Sequence, residues 1–138
     1  MVHKMSKVPL EPLFKELDNF IQSNDFDNAI GICDKILANE PNDEDAVTCK
    51  VIALIQLSKF DETLKFLDSS SLNSNFGFER AYSLYRLKKH KESLQILKDI
   101  AEPKTRKVLE LEAQLYYRLE DWSECIKSYE RLLSEFQV

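Results

Sequence analysis

Glycine and proline are scarce in this chain: two glycines and four prolines among 138 residues. Tight turns between strands normally draw on both residue types, so a sheet protein with several hairpins is disfavoured and helices are favoured. Three cysteines cannot all pair, and their spacings, Cys33 to Cys49 to Cys125, contain no CxxC. With only His3 and His90 beside them, no structural zinc set is legible, and the thiol usage suits a reducing compartment. No apolar run approaches a membrane span. The first nine residues lack the apolar core of a signal peptide, which predicts a protein of the cytoplasm or nucleus that does not insert into membranes. Basic residues are outnumbered, 19 against 24 acidic, which argues against a broad polyanion-binding surface. Gly-rich phosphate loops, GxSxG and HExxH are also missing, so the chain offers no catalytic residues, no small-molecule substrate site and no cofactor or metal site.

Apolar side chains are plentiful enough for a core, since Leu, Ile, Val and Phe together make roughly 30% of the chain, well above the ~20% below which disorder is expected. They are arranged in a repeat. Asn24-Asp25-Phe26-Asp27-Asn28-Ala29-Ile30 aligns with Ser58-Lys59-Phe60-Asp61-Glu62-Thr63-Leu64. Lys88-Lys89-His90-Lys91-Glu92-Ser93-Leu94 and Glu120-Asp121-Trp122-Ser123-Glu124-Cys125-Ile126 are the third and fourth copies. Each copy has a ring, a polar pair, a small residue and an aliphatic, and the rings recur at steps of 34, 30 and 32. Before each copy runs a stripe at helical spacing: Leu13/Leu17/Phe20/Ile21, Val47/Val51/Leu54/Ile55, Gly77/Ala81/Leu84/Tyr85 and Leu109/Ala113/Tyr116/Tyr117. After it run Ala29/Ile30/Cys33/Ile36, Thr63/Leu64/Leu67, Ser93/Leu94/Leu97/Ile100 and Cys125/Ile126/Tyr129/Leu132. The unit is a helix pair with a short turn. Asp121 with Glu124 has the form of a capping box, and Ser58 with Asp61 a weaker one. Pro41 and Pro103 fall between units.

A period near 34 with a ring at the turn, a small residue three later and a unit-ending proline resembles the tetratricopeptide repeat. The first unit matches best, through Leu17, Phe20, Phe26, Ala29 and Pro41. The second is shortened in the serine-rich link Ser69–Ser74, and the third has His90 at the ring position. The expected fold is all-α, a right-handed superhelix of about four tetratricopeptide-like helix-turn-helix repeats at approximately 10–43, 44–73, 74–105 and 106–138, after a flexible stretch at 1–8. Four such units nearly consume the length, and the chain reads as the front end of a longer protein.

Three segments narrow the class: Cys49-Lys50-Val51 with Leu54-Ile55-Gln56, then Phe78-Glu79-Arg80-Ala81-Tyr82 with Tyr85-Arg86-Leu87, then Leu115-Tyr116-Tyr117-Arg118-Leu119-Glu120. Over roughly residues 13 to 133 they resemble the N-terminal region of one family, the seventy-two-kilodalton subunit of the signal recognition particle. That resemblance implies a protein-binding module for the C-terminal part of the sixty-eight-kilodalton subunit, in a particle that targets ribosomes making secretory proteins to the endoplasmic reticulum. RNA binding in that family belongs to a basic segment far downstream, which has no counterpart here.

Stacked helix pairs line a concave face with their first helices. The places usually exposed there are Phe14, Asp18, Ile21 and Gln22 in the first unit and Thr48, Ile52, Ile55 and Gln56 in the second. The third supplies Phe78, Tyr82, Tyr85 and Arg86, and the fourth Glu110, Gln114, Tyr117 and Arg118. Tyr and Arg combine large contact area with a polar handle, as binding hot spots require. Several of the tyrosines could instead fill gaps between helices. The carboxylate clamp of chaperone-binding repeats is excluded, because its places hold Phe14, Asp18, Cys49, Asn75 and Glu79. Cys33 and Cys125 read as packing residues, and His90 as a substitute ring at the turn. Lys88, Lys89 and Lys91 form the one basic cluster, a solvated helix start or, in the alternative reading, an RNA contact.

Overall fold

The computed structural model describes residues 9–136; the flexible stretch expected at 1–8 lies outside them. The described residues form eight α-helices: α1 (Leu10–Gln22), α2 (Phe26–Asn39), α3 (Glu44–Gln56), α4 (Phe60–Ser69), α5 (Gly77–Arg86), α6 (His90–Lys98), α7 (Arg106–Arg118) and α8 (Trp122–Phe136). A 3-10 turn covers Asn73–Phe76 ahead of α5. The chain divides into two compact units at Asn73/Ser74, each holding two helix pairs. The fold is all-helical and built of paired helix-turn-helix repeats, as the apolar spacing predicts.

In the first unit, Leu13 and Leu17 of α1 pack with Ala29, Ile32, Cys33 and Ile36 of α2 and Ala46 of α3. In the second, Ala81, Leu94, Leu97, Val108, Leu111, Leu115, Tyr116 and Cys125 make the core, with a smaller cluster of Leu109, Ala113 and Leu132 beside Phe136. Helices can approach closely where side chains are small. The small residue three places after each ring does this work: Ala29, Thr63 and Ser93 are fully buried and Cys125 nearly so. Ser93 and Cys125 also donate across the helix pair. Ser93 Oγ donates to the Ala81 carbonyl at 2.6 Å, and Cys125 Sγ donates to the Ala113 carbonyl at 3.5 Å, the same cross-helix bond one repeat later.

The four turns inside the pairs are one motif. Asn24, Ser58, Lys88 and Glu120 all adopt positive φ, between 58° and 65°. At each, the next residue's N–H donates to the carbonyl five back, as in Asp25 to Phe20, Lys59 to Leu54, Lys89 to Leu84 and Asp121 to Tyr116. The left-handed residue's own N–H donates three back, to Ile21, Ile55, Tyr85 and Tyr117. This is the Schellman arrangement, which normally uses glycine. Here side-chain-bearing residues occupy it, which is why helix pairs exist with so little glycine. It also corrects the reading of Ser58 as a cap: Ser58 terminates α3, and the residue at the start of α4 is Lys59, whose side chain makes no cap bond. Asp121 does cap α8, accepting from the Glu124 N–H at 3.3 Å. Asp25, Asp43 and Thr105 cap α2, α3 and α7 in the same way.

Candidate functional site

The residues expected on a binding face are distributed over both units. In the first unit Phe14 and Ile21 are half-buried and pack against its core, while Asp18 and Gln22 are exposed. On α3, Ile52 stands out at 44% exposure, Gln56 is exposed, and Thr48 and Ile55 are half-buried. Behind them the unit is pinned by Lys50, which bonds Asp34 at 2.6 Å and lies 4.5 Å from the centre of the Phe66 ring. Burial pushes the Cys33 thiol up to about 12, with Cys49 and Asp34 adding to it. Burial, then Asp45, Asp18 and Asp43, raises Cys49 as well. Both thiols are held protonated, the opposite of what a nucleophilic cysteine needs.

The second unit brings its candidates into contact. Phe78 and Tyr82 stack one turn apart on α5, with ring centres 6.1 Å apart. Lys107 of α7 lies 4.5 Å over the Phe78 ring. Arg86 donates through Nη1 to the Tyr82 hydroxyl at 2.8 Å, and Tyr85 donates its hydroxyl to Gln114 Oε1 at 3.0 Å. The α5 and α7 positions are thus tied from one repeat to the next by side-chain contacts. Tyr117 is exposed and sets its ring edge-on to Trp122 at 5.3 Å. Tyr85, Gln114, Tyr117, Arg118 and Tyr129 surround a cavity of about 300 Å³. A second cavity, of about 380 Å³, lies between Glu110 and Gln114 of α7 and Tyr129, Leu132 and Leu133 of α8. A third, of about 540 Å³, is walled by Phe78, Glu79, Ile100, Lys107 and Val108 among others. The first is a concave surface dominated by tyrosines with polar handles, and the other two mix aliphatic, polar and charged walls with a single ring each.

Sequence reasoning placed α8 but missed its exposed apolar face. Ile126 and Tyr129 share register with Ile30 and Cys33 in the downstream stripe. They are 58% and 47% exposed, and Trp122 and Leu133 continue the same apolar stripe. The register mates of Tyr129 in the three earlier pairs, Cys33, Leu67 and Leu97, are fully buried. Tyr129 therefore belongs with the Tyr85 and Tyr117 surface, and the mixed polarity of tyrosine at a packing register was the one signal for it. His90 does fill the ring position, tilted against Tyr85 at 5.6 Å. Among the described residues no group of three or more His, Cys, Asp or Glu is placed to hold a metal ion. No helix among them is long and apolar enough to cross a membrane.

Comparison with known proteins adds to this geometry. The family model described as "Putative TPR-like repeat" matches residues 32–137. The chain is 44% identical over 132 residues to the signal recognition particle subunit SRP72 of Dictyostelium discoideum, covering 96% of this chain and 20% of that protein. It is 34% identical over 133 residues to SRP72 of Homo sapiens, covering 94% of this chain and 20% of the human protein. The chain thus spans about a fifth of the length of these curated relatives. Among solved structures, MamA from Desulfovibrio magneticus RS-1 superposes with a TM-score of 0.80 at 14% identity, over 91% of this chain and 75% of that one. A second MamA structure, of AMB-1, gives 0.71 at 16% identity, over 96% and 82%. At such identity these two show a shared fold.

Proposed function

The chain belongs to the TPR-like repeat family whose model spans residues 32–137, and its curated relatives are SRP72 subunits; from that premise we propose that it docks the C-terminal region of the particle's sixty-eight-kilodalton subunit. As a TPR-like repeat module it works by protein–protein interaction and not by catalysis. The observation that carries the reading is the SRP72 homology itself, which runs over 96% of the chain at 44% identity. The second unit supplies the physical means. An amphipathic segment can lay apolar side chains on Phe78, Tyr82 and Tyr117, whose rings offer large rigid contact area. Arg86 and Arg118 then meet its carboxylates or backbone carbonyls. Phe14, Asp18, Ile21, Thr48, Ile52, Ile55 and Gln56 offer a mixed apolar and polar surface of their own on the first helices of the first unit's two pairs. In this reading the chain acts in the cytoplasm and reaches the endoplasmic reticulum through the particle, and particle RNA is contacted by other segments.

Isothermal titration of the purified chain with the C-terminal region of the sixty-eight-kilodalton subunit tests the proposal. Saturable one-to-one binding is the expected result. Absence of binding, with the chain folded by circular dichroism, would overturn it.

A further inference from the structure

The repeat places residues in register, and one register accumulates positive charge in the second unit. The last residue of each first helix is Gln22, Gln56, Arg86 and Arg118 in turn. Two residues after each lies the left-handed turn residue, Asn24, Ser58, Lys88 or Glu120. Two further on is the ring, Phe26, Phe60, His90 or Trp122. The third turn is the one that carries a cation at the first two places and an imidazole at the third. Arg118 then arrives from the next repeat. Tyr85, Arg86, Lys88, His90 and Arg118 line a single cavity of about 350 Å³, with no carboxylate among them.

The walls of this cavity are built before any ligand arrives. Arg86 is steadied by the Tyr82 hydroxyl, and Tyr85 by Gln114. The Lys88 backbone is fixed by its own N–H bond to Tyr85 and by the Lys89 bond to Leu84. His90 Nδ1 is buried there without a hydrogen-bond partner. In a chain of net charge −5, setting Lys88 and Arg118 around one hollow costs like-charge repulsion that a bound anion removes. We propose that this cavity takes a pair of neighbouring carboxylates from an acidic peptide segment, Arg118 and Lys88 holding them by charge-assisted hydrogen bonds while the chain around them rests on Tyr85 and Tyr117. A compact hollow suits one or two carboxylates, whereas a nucleic-acid backbone needs a long basic track. Glu92 after the lysines, and Glu120 and Asp121 after Arg118, interrupt such a track in the sequence. The inference rests on the docking reading above and gives the partner segment a chemistry: acidic where it passes the third and fourth repeats.

The test is a nuclear magnetic resonance titration of the whole chain with N-acetyl-Asp-Asp amide, N-acetyl-Asn-Asn amide and decauridylate. The acidic dipeptide is expected to give saturable amide shifts confined to residues 85–90 and 114–118, and the amide dipeptide none. Arg118→Gln and Lys88→Gln, both at exposed positions that leave the fold intact, are each expected to weaken the acidic probe about tenfold. Equal shifts from both dipeptides, no shifts from either, or tighter binding of decauridylate at the same residues would overturn the proposal. The C-terminal region of the sixty-eight-kilodalton subunit is titrated in parallel. If it binds while the dipeptide does not, only the acidic pocket falls. If the dipeptide binds while that region does not, the docking partner falls and the pocket stands.

Discussion

Removing Lys104 should destabilise the second unit more than any surface change. Lys104 lies in the link between α6 and α7, and its Nζ meets Glu112 Oε2 at 2.8 Å. The two side chains are only 10% and 8% exposed. At an effective dielectric of ~20 their attraction is about 6 kcal/mol, most of which is offset by the several kcal/mol of desolvation each ion suffers. The net value of the pair is therefore small, but the cost of breaking it is not. In Lys104→Met, Glu112 stays fixed on α7 without its partner, and the expected loss is about 3–4 kcal/mol. Glu112→Leu should cost less, about 1–2 kcal/mol, because a lysine in a link can swing its ammonium into water. The double variant should recover most of the Lys104→Met loss, since an apolar pair of similar volume often replaces a buried ion pair without penalty. Urea unfolding at pH 7 followed by circular dichroism reads all three. A Lys104→Met loss below about 1 kcal/mol, or a double variant worse than Lys104→Met alone, would refute the argument.

Ser58→Gly should raise stability by about 1 kcal/mol, because an L-residue in the left-handed turn is strained and glycine is not; the melting temperature should rise by roughly 3–5 °C, and an unchanged or lower value would count against the turn assignment. Cys33 holds its proton more tightly folded than unfolded, so its contribution is complete below the ordinary thiol value of 9.0 and is lost as pH rises from there toward about 12. Urea midpoints measured from pH 8 to 11 should therefore fall, and fall less in Cys33→Ala; Cys49 and Tyr116, both raised first by burial, leave a residual slope in the same direction.

Periodicity carried the fold because a helix pair must hide its stripe, and the small residue after each ring had to lie at a helix crossing. Ala29, Thr63, Ser93 and Cys125 show that consequence directly. The turns were less legible. A left-handed residue without glycine has no propensity signal, so Ser58 read as a cap when it ends the preceding helix. On the site, Phe78, Tyr82, Tyr85, Arg86, Gln114, Tyr117 and Arg118 could be named from register, but their mutual bonds could not. The hydroxyl-to-amide link of Tyr85 with Gln114 spans 29 residues and depends on how α5 and α7 are set within the unit. Tyr129 was not among the surface residues named from sequence, for a physical reason: register identifies the face of a helix, and whether that face is covered depends on what packs against it. Leu67 and Leu97 are covered, and Tyr129 is not.

The central claim is that the aromatic and arginine-bearing surface of the second unit holds the C-terminal region of the sixty-eight-kilodalton subunit. Calorimetric titration of that region into the wild-type chain, Tyr82→Ala and Arg86→Ala tests it most directly. Each variant is expected to stay folded and to weaken binding by ~1–3 kcal/mol, about 5- to 150-fold in Kd. Wild-type affinity in both variants would contradict the account.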